Sequence, residues 1–563
     1  MNVKSYFKEA FVFDLKAGFI TSIVALPLAI AFAVASGVSP IMGLYTAVIA
    51  GALGSLFGGS AFSITGPTGA MAVIILSSVQ KYGIEGLMLA GFLAGAIQII
   101  FGLIGLGEFV KFIPLPVVSG FTSGIGILIF LGQIPNFLGL SIPAKEAAYQ
   151  TVIESIININ SVKLHAVIIA VATYLCLYFL PRIFAKIKLN IPPSIIPLIL
   201  SLSVVYFYKI NIPIIGTIPS GLPTFNMVSF NLSLLQSVFP AAVTIALLGS
   251  IEALLCAVVC DGMTNTKHDS KKELIGQGIA NSVLPFFGGI ASTAAIARSA
   301  VNIKEGAKTK FAGVIHALFI LLYILVLGSF VSYIPKAFLA GMLVFYSIRM
   351  VNIHEMKTII KISKAETVVL FITLGMTVFT DLVHAVQIGM ILAIMLFFIR
   401  FVSLFNISSM EDYEPDKGLN AVINSSSKLK KNVSVYTIHG PFFFGAMSVF
   451  ERKINEHIDA SKPIVILMMY NSPFIDTSGV TRLLDFIKER HNKNGYVLLV
   501  GLTSAAKQKL FSDEEFSKTM PHEHIFKKAS DAITYAEKNL FYNGTDKIKK
   551  YRNNKIKQNK NIK

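Results

Sequence analysis

Long apolar runs dominate the first two thirds of this chain. From Asp14 to Ser403 they follow one another at lengths of roughly 17–25 residues, the length with which a helix crosses a bilayer. The 563 residues are 54% hydrophobic and only 14% charged, which excludes an ordinary soluble protein. Because backbone polar groups in lipid must be satisfied internally, these runs predict a polytopic α-helical membrane protein.

The membrane part divides into fourteen apolar segments, seven in each half. Segments three and ten are too short to span a bilayer as helices. The fourteen segments lie near residues 15–36, 41–57, 67–80, 84–106, 114–133, 161–181, 192–208, 237–260, 272–287, 294–304, 310–333, 337–350, 366–380 and 384–404.

The sequence becomes polar near Asn406 and then alternates strand-like and helix-like stretches. VSVYTIHG, PIVILMMYN and YVLLVGL are typical of strands, and a helix is predicted after the capping residues at Asp476 to Ser478. This alternation predicts a small α/β domain. The predicted domains are 1–405 in the membrane, a linker over 406–430, an α/β domain over 431–545 and a basic tail over 546–563.

One short motif occurs in both halves. Phe57-Gly58-Gly59 and Phe287-Gly288-Gly289 each close a helical segment and open a stretch rich in Gly, Ala, Ser and Thr. The match extends upstream without a gap, where GLYTAVIAGALGSLFGG lies over ELIGQGIANSVLPFFGG. A broken hydrophobic segment at matching positions in two halves is the best sequence indicator of a transporter binding site.

The charges of the loops indicate how the two halves are oriented in the membrane. With the N-terminus inside, cytoplasmic loops should be cationic. The even-numbered loops carry most of the basic residues, and the odd-numbered loops carry few, among them Lys145, Lys163, Lys209 and Lys336. This bias predicts that both termini are cytoplasmic and that the two seven-segment halves are inverted repeats.

Inversion brings the starts of half-helices three and ten to the same depth from opposite sides. Gly66-Pro67-Thr68-Gly69 opens the first, and the second starts near Ala294 with Arg298 within about two turns of its N-terminus. Free N–H groups and two positive dipole ends predict an anion site there. The alternatives are a kink or close helix packing at the first motif, and an Arg298 that pairs with a carboxylate to join the halves.

Glu252 is the only charged residue between Phe239 and Cys260. A carboxylate at that depth must bind a cation, pair or take up a proton, and proton uptake is the property that a proton-coupled carrier needs. The alternative is a permanently neutral Glu252 that serves as a hydrogen-bonding strut.

Other functional classes find no support in the sequence. The net charge of +18 is placed in short loops and in the tail from Lys547 to Lys563, as membrane topology predicts, so no nucleic-acid partner is inferred. The three cysteines match no disulfide framework or metal site. No nucleophile elbow, phosphate-binding loop or metal-ligand cluster occurs, which predicts neither an enzyme nor a cofactor other than a coupling proton.

Several stretches resemble one transporter family. DLKAGFITSIVALPLAIAFAVASG, FSITGPTGA, GFTSGIGI and LLGSIEALLCAVVCDGMTNTKH resemble the sulfate permease (SulP) anion transporters, and the DTSG loop resembles a STAS domain. Within the family, the run around Glu252 with FFGGIASTAAIARSAVN is most similar to the DauA-type C4-dicarboxylate/proton transporters.

The resemblance implies a core domain that moves against a gate domain as an elevator. It implies a substrate between segments one, three, eight and ten, with Glu252 as the acidic residue of segment eight. It also implies a homodimer in a bacterial inner membrane, and acyl carrier protein or another protein as a possible partner of the STAS domain. The substrate-binding residues that it implies are Leu28, Phe32, Thr68, Gly69, Ala295, Ile296 and Arg298.

The chain departs from the family pattern in ways that bear on the coupling ion and the substrate. The sodium-coupled bicarbonate branch has Asp at Glu252 and hydroxyl residues at Cys256 and Ile296, and neither Cys nor Ile is a good ligand for sodium. Plant sulfate transporters carry polar residues at or near Leu28 and Phe32. Ser478 matches the phosphorylated Ser of anti-sigma factor antagonists, but a helix-capping role is favoured for it here.

These observations predict a secondary carrier that takes up a C4-dicarboxylate or sulfate with protons by alternating access. A sodium-driven bicarbonate transporter is the first alternative. An uncoupled anion channel, or a membrane sensor that signals through the STAS domain, is the second.

Overall fold

The computed structural model describes residues 6–7, 9–107, 114–142, 148–187, 191–216, 221–380, 382–409, 426–457 and 462–540. The chain forms two compact units, Met1–Ala393 and Ile394–Lys563. The predicted basic tail, 546–563, lies outside the described residues, as does most of the predicted linker.

The first half of the membrane part is helical wherever the apolar pattern predicts a segment. Among the described residues of the whole chain, eight helices are long and apolar enough to cross a membrane. The helices of the first half are α1 (Phe11–Ala35), α2 (Pro40–Phe57), α3 (Gly69–Leu103), α4 (Leu115–Gly132), α5 (Ile134–Leu138), α6 (Ala148–Ile157), α7 (Leu164–Ile187) and α8 (Ile195–Tyr208).

The second half follows the same order and adds one amphipathic helix, α14. A short 3-10 helix, Leu284–Phe287, follows α10 and carries the second copy of the repeated motif. The helices are α9 (Leu232–Thr264), α10 (Ser270–Val283), α11 (Ile296–Lys304), α12 (Phe311–Val331), α13 (Lys336–Met350), α14 (Ile353–Ile362), α15 (Lys364–Phe379) and α16 (Leu382–Ser403).

Predicted segments three and four form the two parts of α3, which are separated by a sharp kink at Gly83. There the backbone takes φ of 70° and ψ of −176°, a conformation that glycine adopts without a steric penalty. The stretch before Gly83 is the predicted half-helix three, and α11, with nine residues, is the predicted half-helix ten. Both are too short to span a bilayer, as the sequence predicts.

Two short strands cross directly before the half-helices. β1 (Thr65–Gly66) pairs antiparallel with β2 (Thr293–Ala294), so that Thr65 lies opposite Ala294 and Gly66 opposite Thr293. The main-chain N–H of Ala295 also donates to Ile64 O at 2.9 Å. The two extended stretches therefore satisfy each other's backbone groups, which allows irregular backbone to remain buried at this depth.

The helices pack as two groups that each draw on both halves of the repeat. The first group contains α1–α3 and α9–α12, and the second contains α4–α8 and α13–α15. Contacts between the groups are sparse and involve α3 with α4 and α1 with α13. This is the division into a core and a gate that the family resemblance implies. The two half-helices and Glu252 all belong to the first group.

The C-terminal unit is an α/β domain with one mixed sheet in the order β3-β4-β5-β6-β7. β3 runs antiparallel to β4, and the later strands are parallel. The edge strand β3 lies in the stretch that the sequence assigns to a linker. The elements are β3 (Asn406–Ser409), α17 (Ser427–Asn432), β4 (Val433–His439), α18 (Met447–His457), β5 (Ile464–Asn471), α19 (Thr477–Asn492), β6 (Tyr496–Val500), α20 (Ser504–Phe511), α21 (Glu514–Thr519), β7 (Ile525–Phe526) and α22 (Ala529–Tyr535).

Candidate functional site

The two half-helices begin on either side of the strand crossing. Thr68 is the N-cap of α3, and its hydroxyl accepts a long bond from Met71 N at 3.4 Å. Ala295 is the N-cap of α11 and has no side chain that could cap the first N–H groups. Ile296, the first residue of α11, is 45% exposed, so this helix start is open to a small ligand. Two helix N-termini at one place favour a negative charge.

Glu252 reaches this place from α9. Thr68 Oγ1 donates a hydrogen bond to Glu252 Oε2 at 2.9 Å, and the Glu252 side chain is half-buried. The hydroxyl at the start of one half-helix and the lone carboxylate of segment eight are therefore in direct contact. A change in the charge of Glu252 would therefore alter the hydrogen bond made by Thr68, the N-cap of α3.

Arg298 is buried beneath the half-helix starts and does not line an open site. It is 1% exposed, and its Nη2 donates to Pro67 O, directly before the N-cap of α3. The guanidinium lies against Gly66, where a Cβ would collide with Nη1. Nη1 has no acceptor among the described residues. Arg298 joins the halves through a backbone carbonyl, and the carboxylate pair considered as the alternative is not formed within the described chain.

The apolar residues predicted at the site lie on α1, on the other side of the start of α3. Leu28 is 3% exposed and belongs to the core, whereas Phe32 is half-buried. Phe32, Ile129 of α4 and Met350 of α13 surround Gly69 closely enough that a methyl group there would touch all three. The start of α3 is therefore polar toward Glu252 and apolar toward the second group of helices.

Cys256 does not contribute a free ligand to the site. Its thiol bonds Ser299 Oγ at 3.2 Å, and that hydroxyl donates to Ala295 O at 2.9 Å. Ile64 N donates to the same Ser299 oxygen at 2.9 Å. Among the described residues, no group of three or more His, Cys, Asp or Glu could hold a metal ion.

A ladder of buried polar residues on α10 was missed by the sequence analysis. Gln277 Nε2 donates to Thr65 Oγ1 at 2.9 Å. Asn281 accepts from Ser292 N at 2.8 Å and donates to Ser292 O at 3.0 Å. Glu273, four residues before Gln277, accepts from Gly59 N and Ser60 N, both at 2.8 Å. The spacing of four residues, with polar side chains in an otherwise apolar segment, was the available signal.

Ser478 lies in the C-terminal unit, at the second position of α19. The helix cap is Asp476, whose Oδ1 accepts from Gly479 N at 2.8 Å and whose Oδ2 accepts from Phe444 N at 3.0 Å. The capping role favoured for Ser478 is therefore wrong, because the carboxylate of Asp476, two residues earlier, already accepts from an N–H group of the first turn. Ser478 is exposed.

Inverted seven-segment halves whose half-helices meet inside a membrane domain define a secondary transporter rather than an enzyme. The chain belongs to the sulfate permease family, whose model matches residues 11–373, and it carries a STAS domain that matches residues 425–532. It is thus an integral membrane protein of an anion transporter family. This assignment confirms the resemblance seen in the sequence.

Three known proteins show how widely this architecture extends. The Bacillus subtilis (strain 168) protein named "Putative sulfate transporter YvdB" is 38% identical over 93% of this chain and 97% of its own length. The bicarbonate transporter BicA of Picosynechococcus sp. is 30% identical over 90% of this chain and 92% of its own length. The solved structure of SLC26A9 aligns with 96% of this chain and 94% of its own chain, with a TM-score of 0.84. At 17% identity, this likeness shows the fold.

Replacing Thr68 with Val should lower kcat/KM for anion uptake about tenfold, because a hydrogen bond to a charged group is worth about 1.5–3 kcal/mol. Thr68→Ser keeps the hydroxyl and should stay within about twofold of the wild-type value, since both the bond to Glu252 and the cap are retained. Radiolabelled uptake into proteoliposomes measures both. Equal uptake by the Val and Ser variants would contradict the role of the hydroxyl.

Proposed function

We propose that this protein takes up a small oxyanion together with protons by alternating access. The observation that carries the proposal is the 2.9 Å contact between Thr68 Oγ1 and Glu252 Oε2. It places the residue best suited to carry a proton directly against the start of a half-helix that favours an anion. An anion at the two helix ends and a charged Glu252 would repel each other, so binding of the anion favours protonation of Glu252.

Protons are a better coupling ion than sodium for this set of side chains. A sodium ion prefers several hard oxygen ligands. At the two positions where the sodium-coupled branch has hydroxyl residues, this chain has the thiol of Cys256, already hydrogen-bonded to Ser299, and the hydrocarbon side chain of Ile296. A proton needs only the carboxylate itself. The proposed mechanism therefore requires a coupling proton and no other coupling ion.

The surroundings of Gly69 support an anion with a hydrocarbon part. Phe32, Ile129 and Met350 form an apolar surface there, which suits the carbon chain of a C4-dicarboxylate such as succinate or fumarate. Sulfate is the other leading candidate, and a close relative is named for sulfate. Leu28 is buried in the core, so it would affect the site through packing and not through direct contact with the anion.

The mechanism follows from the two packing groups. The first group carries the half-helices, Glu252 and Arg298, and it meets the second group only through sparse contacts. Sliding of the first group against the second would expose the start of α3 to one side of the membrane and then to the other. The loop charges favour cytoplasmic termini. The homodimer and a protein partner of the STAS domain stay predictions from the family resemblance.

A sodium-driven bicarbonate carrier is the second candidate, favoured by the 30% identity to BicA. Bicarbonate also presents oxygen atoms to helix N-termini, so the anion site alone does not discriminate between the candidates. The two candidates differ in the ion gradient that drives uptake. Sodium-dependent uptake that ignores a proton gradient would replace the proposal by this second candidate.

The test uses the full chain in proteoliposomes loaded with a pH-sensitive dye. Addition of succinate, fumarate, sulfate or bicarbonate outside should acidify the lumen in sodium-free buffer for the anion that is transported. Glu252→Gln, which cannot exchange a proton, should abolish this acidification. Radiolabelled anion is followed in parallel. The proposal fails if the wild-type protein transports anion without proton uptake and Glu252→Gln leaves the flux unchanged.

A further inference from the structure

A second polar space lies apart from the contact between Thr68 and Glu252. It is a cavity of about 730 Å³ between the two packing groups of the membrane unit. The end of α1, the α3 stretch before Gly83, the end of α4, the start of α6 and the end of α15 enclose it. That volume is ample for a hydrated oxyanion of a few heavy atoms.

Among the described residues, the charged side chains that line the cavity are all cationic. Lys81 and Lys336 both line it, together with neutral polar side chains such as Gln133 and Asn136. No carboxylate lines the cavity among the described residues, and within that part of the chain neither lysine forms an ion pair with a carboxylate. Lys336 is half-buried at the first position of α13, so its charge is partly shielded from solvent. A cleft lined by one sign of charge concentrates ions of the opposite sign.

The inner end of the cavity is close to the predicted anion site. Ala72, Val73 and Ile129 line it, and Ala72 is one turn from the start of α3. Ile129 also contacts Gly69, so this side chain separates the cavity from the half-helix start. The cavity thus extends along the half-helix from its first turn to Lys81 near its end.

The position of the cavity also matches the entry side of a carrier. Its outer wall is built from the ends of helices that, in the predicted topology, lead into the sparsely charged external loops. Lys81 and Lys336 are therefore cations on the side where cationic residues are scarce. The positive-inside rule offers no explanation for them, whereas a ligand of negative charge does.

We propose that this cavity is an external collecting site for the transported anion, with Lys81 and Lys336 as the residues that attract it. The inference rests on the proposed uptake function and adds the route by which the substrate reaches it. The site takes small oxyanions of one or two negative charges and holds them weakly. It raises the local concentration of the anion beside Ile129 before the half-helix starts become accessible from that side.

The experiment measures initial uptake of the transported anion in right-side-out vesicles at ionic strengths of about 0.01 and 0.3 M. Lys81→Gln and Lys336→Gln should each raise KM about threefold at low salt, and the double variant about tenfold, in the range that electrostatic steering allows. The maximal rate should not change. At about 0.3 M the difference should disappear, because charges beyond a few Å are then screened.

Lys209→Gln is the matched control, since Lys209 is an exposed lysine at the end of α8 that does not line the cavity. It should leave KM unchanged at both ionic strengths. Lys336→Cys, in a Cys176→Ser background, adds a test of sign, because Cys256 and Cys260 are buried. A membrane-impermeant cationic thiol reagent added outside should restore KM, and an anionic reagent should raise it further.

The outcomes separate the two proposals. If wild-type vesicles transport no anion, the proposed function itself is overturned. If wild-type uptake is normal and the lysine variants show an unchanged KM, a salt-independent change or a loss of maximal rate alone, the collecting site is overturned. Thiol reagents that act only from the inside would likewise contradict an external site.

Discussion

Arg298→Leu should reduce anion uptake about fiftyfold or more. The guanidinium donates to Pro67 O, one residue before the N-cap of α3. We take an anion at this helix start to lie roughly 7 Å from it, the span of about two extended residues. A unit charge at that distance is worth about 2.4 kcal/mol at an effective dielectric constant of 20, and about 1.4 kcal/mol corresponds to a tenfold change. Leu also leaves the carbonyl of Pro67 without its donor, which would loosen the start of α3.

Arg298→Lys separates the charge from the geometry. It keeps the positive charge but not the planar group that lies over Gly66 and reaches Pro67 O, so uptake should fall between that of the wild type and Leu. Radiolabelled uptake is measured on protein that elutes as a single species in detergent. Uptake by a well-folded Arg298→Leu variant at the wild-type rate would show that the buried charge has no part in anion binding.

The membrane fold could be predicted because bilayer physics leaves so few solutions. Runs of spanning length, loop charges and the repeated motif together gave fourteen segments in inverted halves, and the break at Gly83 follows from a glycine between segments three and four. Helices α6 and α14 were missed because they are short and amphipathic, which a search for apolar runs ignores. Strand β3 was missed because four residues carry too little pattern to predict an edge strand.

The residues of the candidate site could be selected from the sequence, but their contacts could not be predicted. The inverted repeat and the lone carboxylate singled out Thr68 and Glu252, and the structure brings them to 2.9 Å. No pattern shows that Arg298 folds back onto Pro67, because side-chain direction depends on how the two strands cross. The sequence predicts a helix cap within Asp476 to Ser478, and the structure shows that Asp476 is the N-cap. The sequence does not choose among the three because all of them are capping residue types.

The repeated Phe-Gly-Gly motif acquires a physical meaning from its partners. In the first half, Gly59 lies against Asp269 O, where a Cβ would collide with the backbone. In the second half, Gly288 takes φ of 67°, which favours glycine. Each motif is held by the other half, since Glu273 of α10 binds the first loop and Thr46 of α2 accepts from Ile290 N at 2.8 Å in the second. Each half therefore fixes a loop of the other half by hydrogen bonds. We call the contacts of Glu273 and of Thr46 the two locks.

Glu273→Leu should destabilise the membrane domain by about 2–6 kcal/mol, the cost of leaving two buried N–H groups without an acceptor. Glu273 is 1% exposed and accepts the N–H groups of Gly59 and Ser60. Without it, both N–H groups stay buried and unpaired, at about 1–3 kcal/mol each. The free energy of unfolding is measured by titration with SDS and followed by tyrosine fluorescence, because the chain has no tryptophan.

The matching change in the other half provides the control. Thr46→Val removes a neutral hydroxyl that serves one N–H group, that of Ile290, so it should cost only about 1–2 kcal/mol. Glu273→Gln keeps an oxygen that can accept from Gly59 N and Ser60 N, and it should cost less than Glu273→Leu. Equal losses for Glu273→Leu and Thr46→Val would show that the carboxylate holds its loop no more strongly than a hydroxyl does. We expect Glu273 to stabilise its loop more than Thr46 does, because a carboxylate that accepts from two N–H groups binds more strongly than a hydroxyl that accepts from one. Equal losses would contradict this expectation.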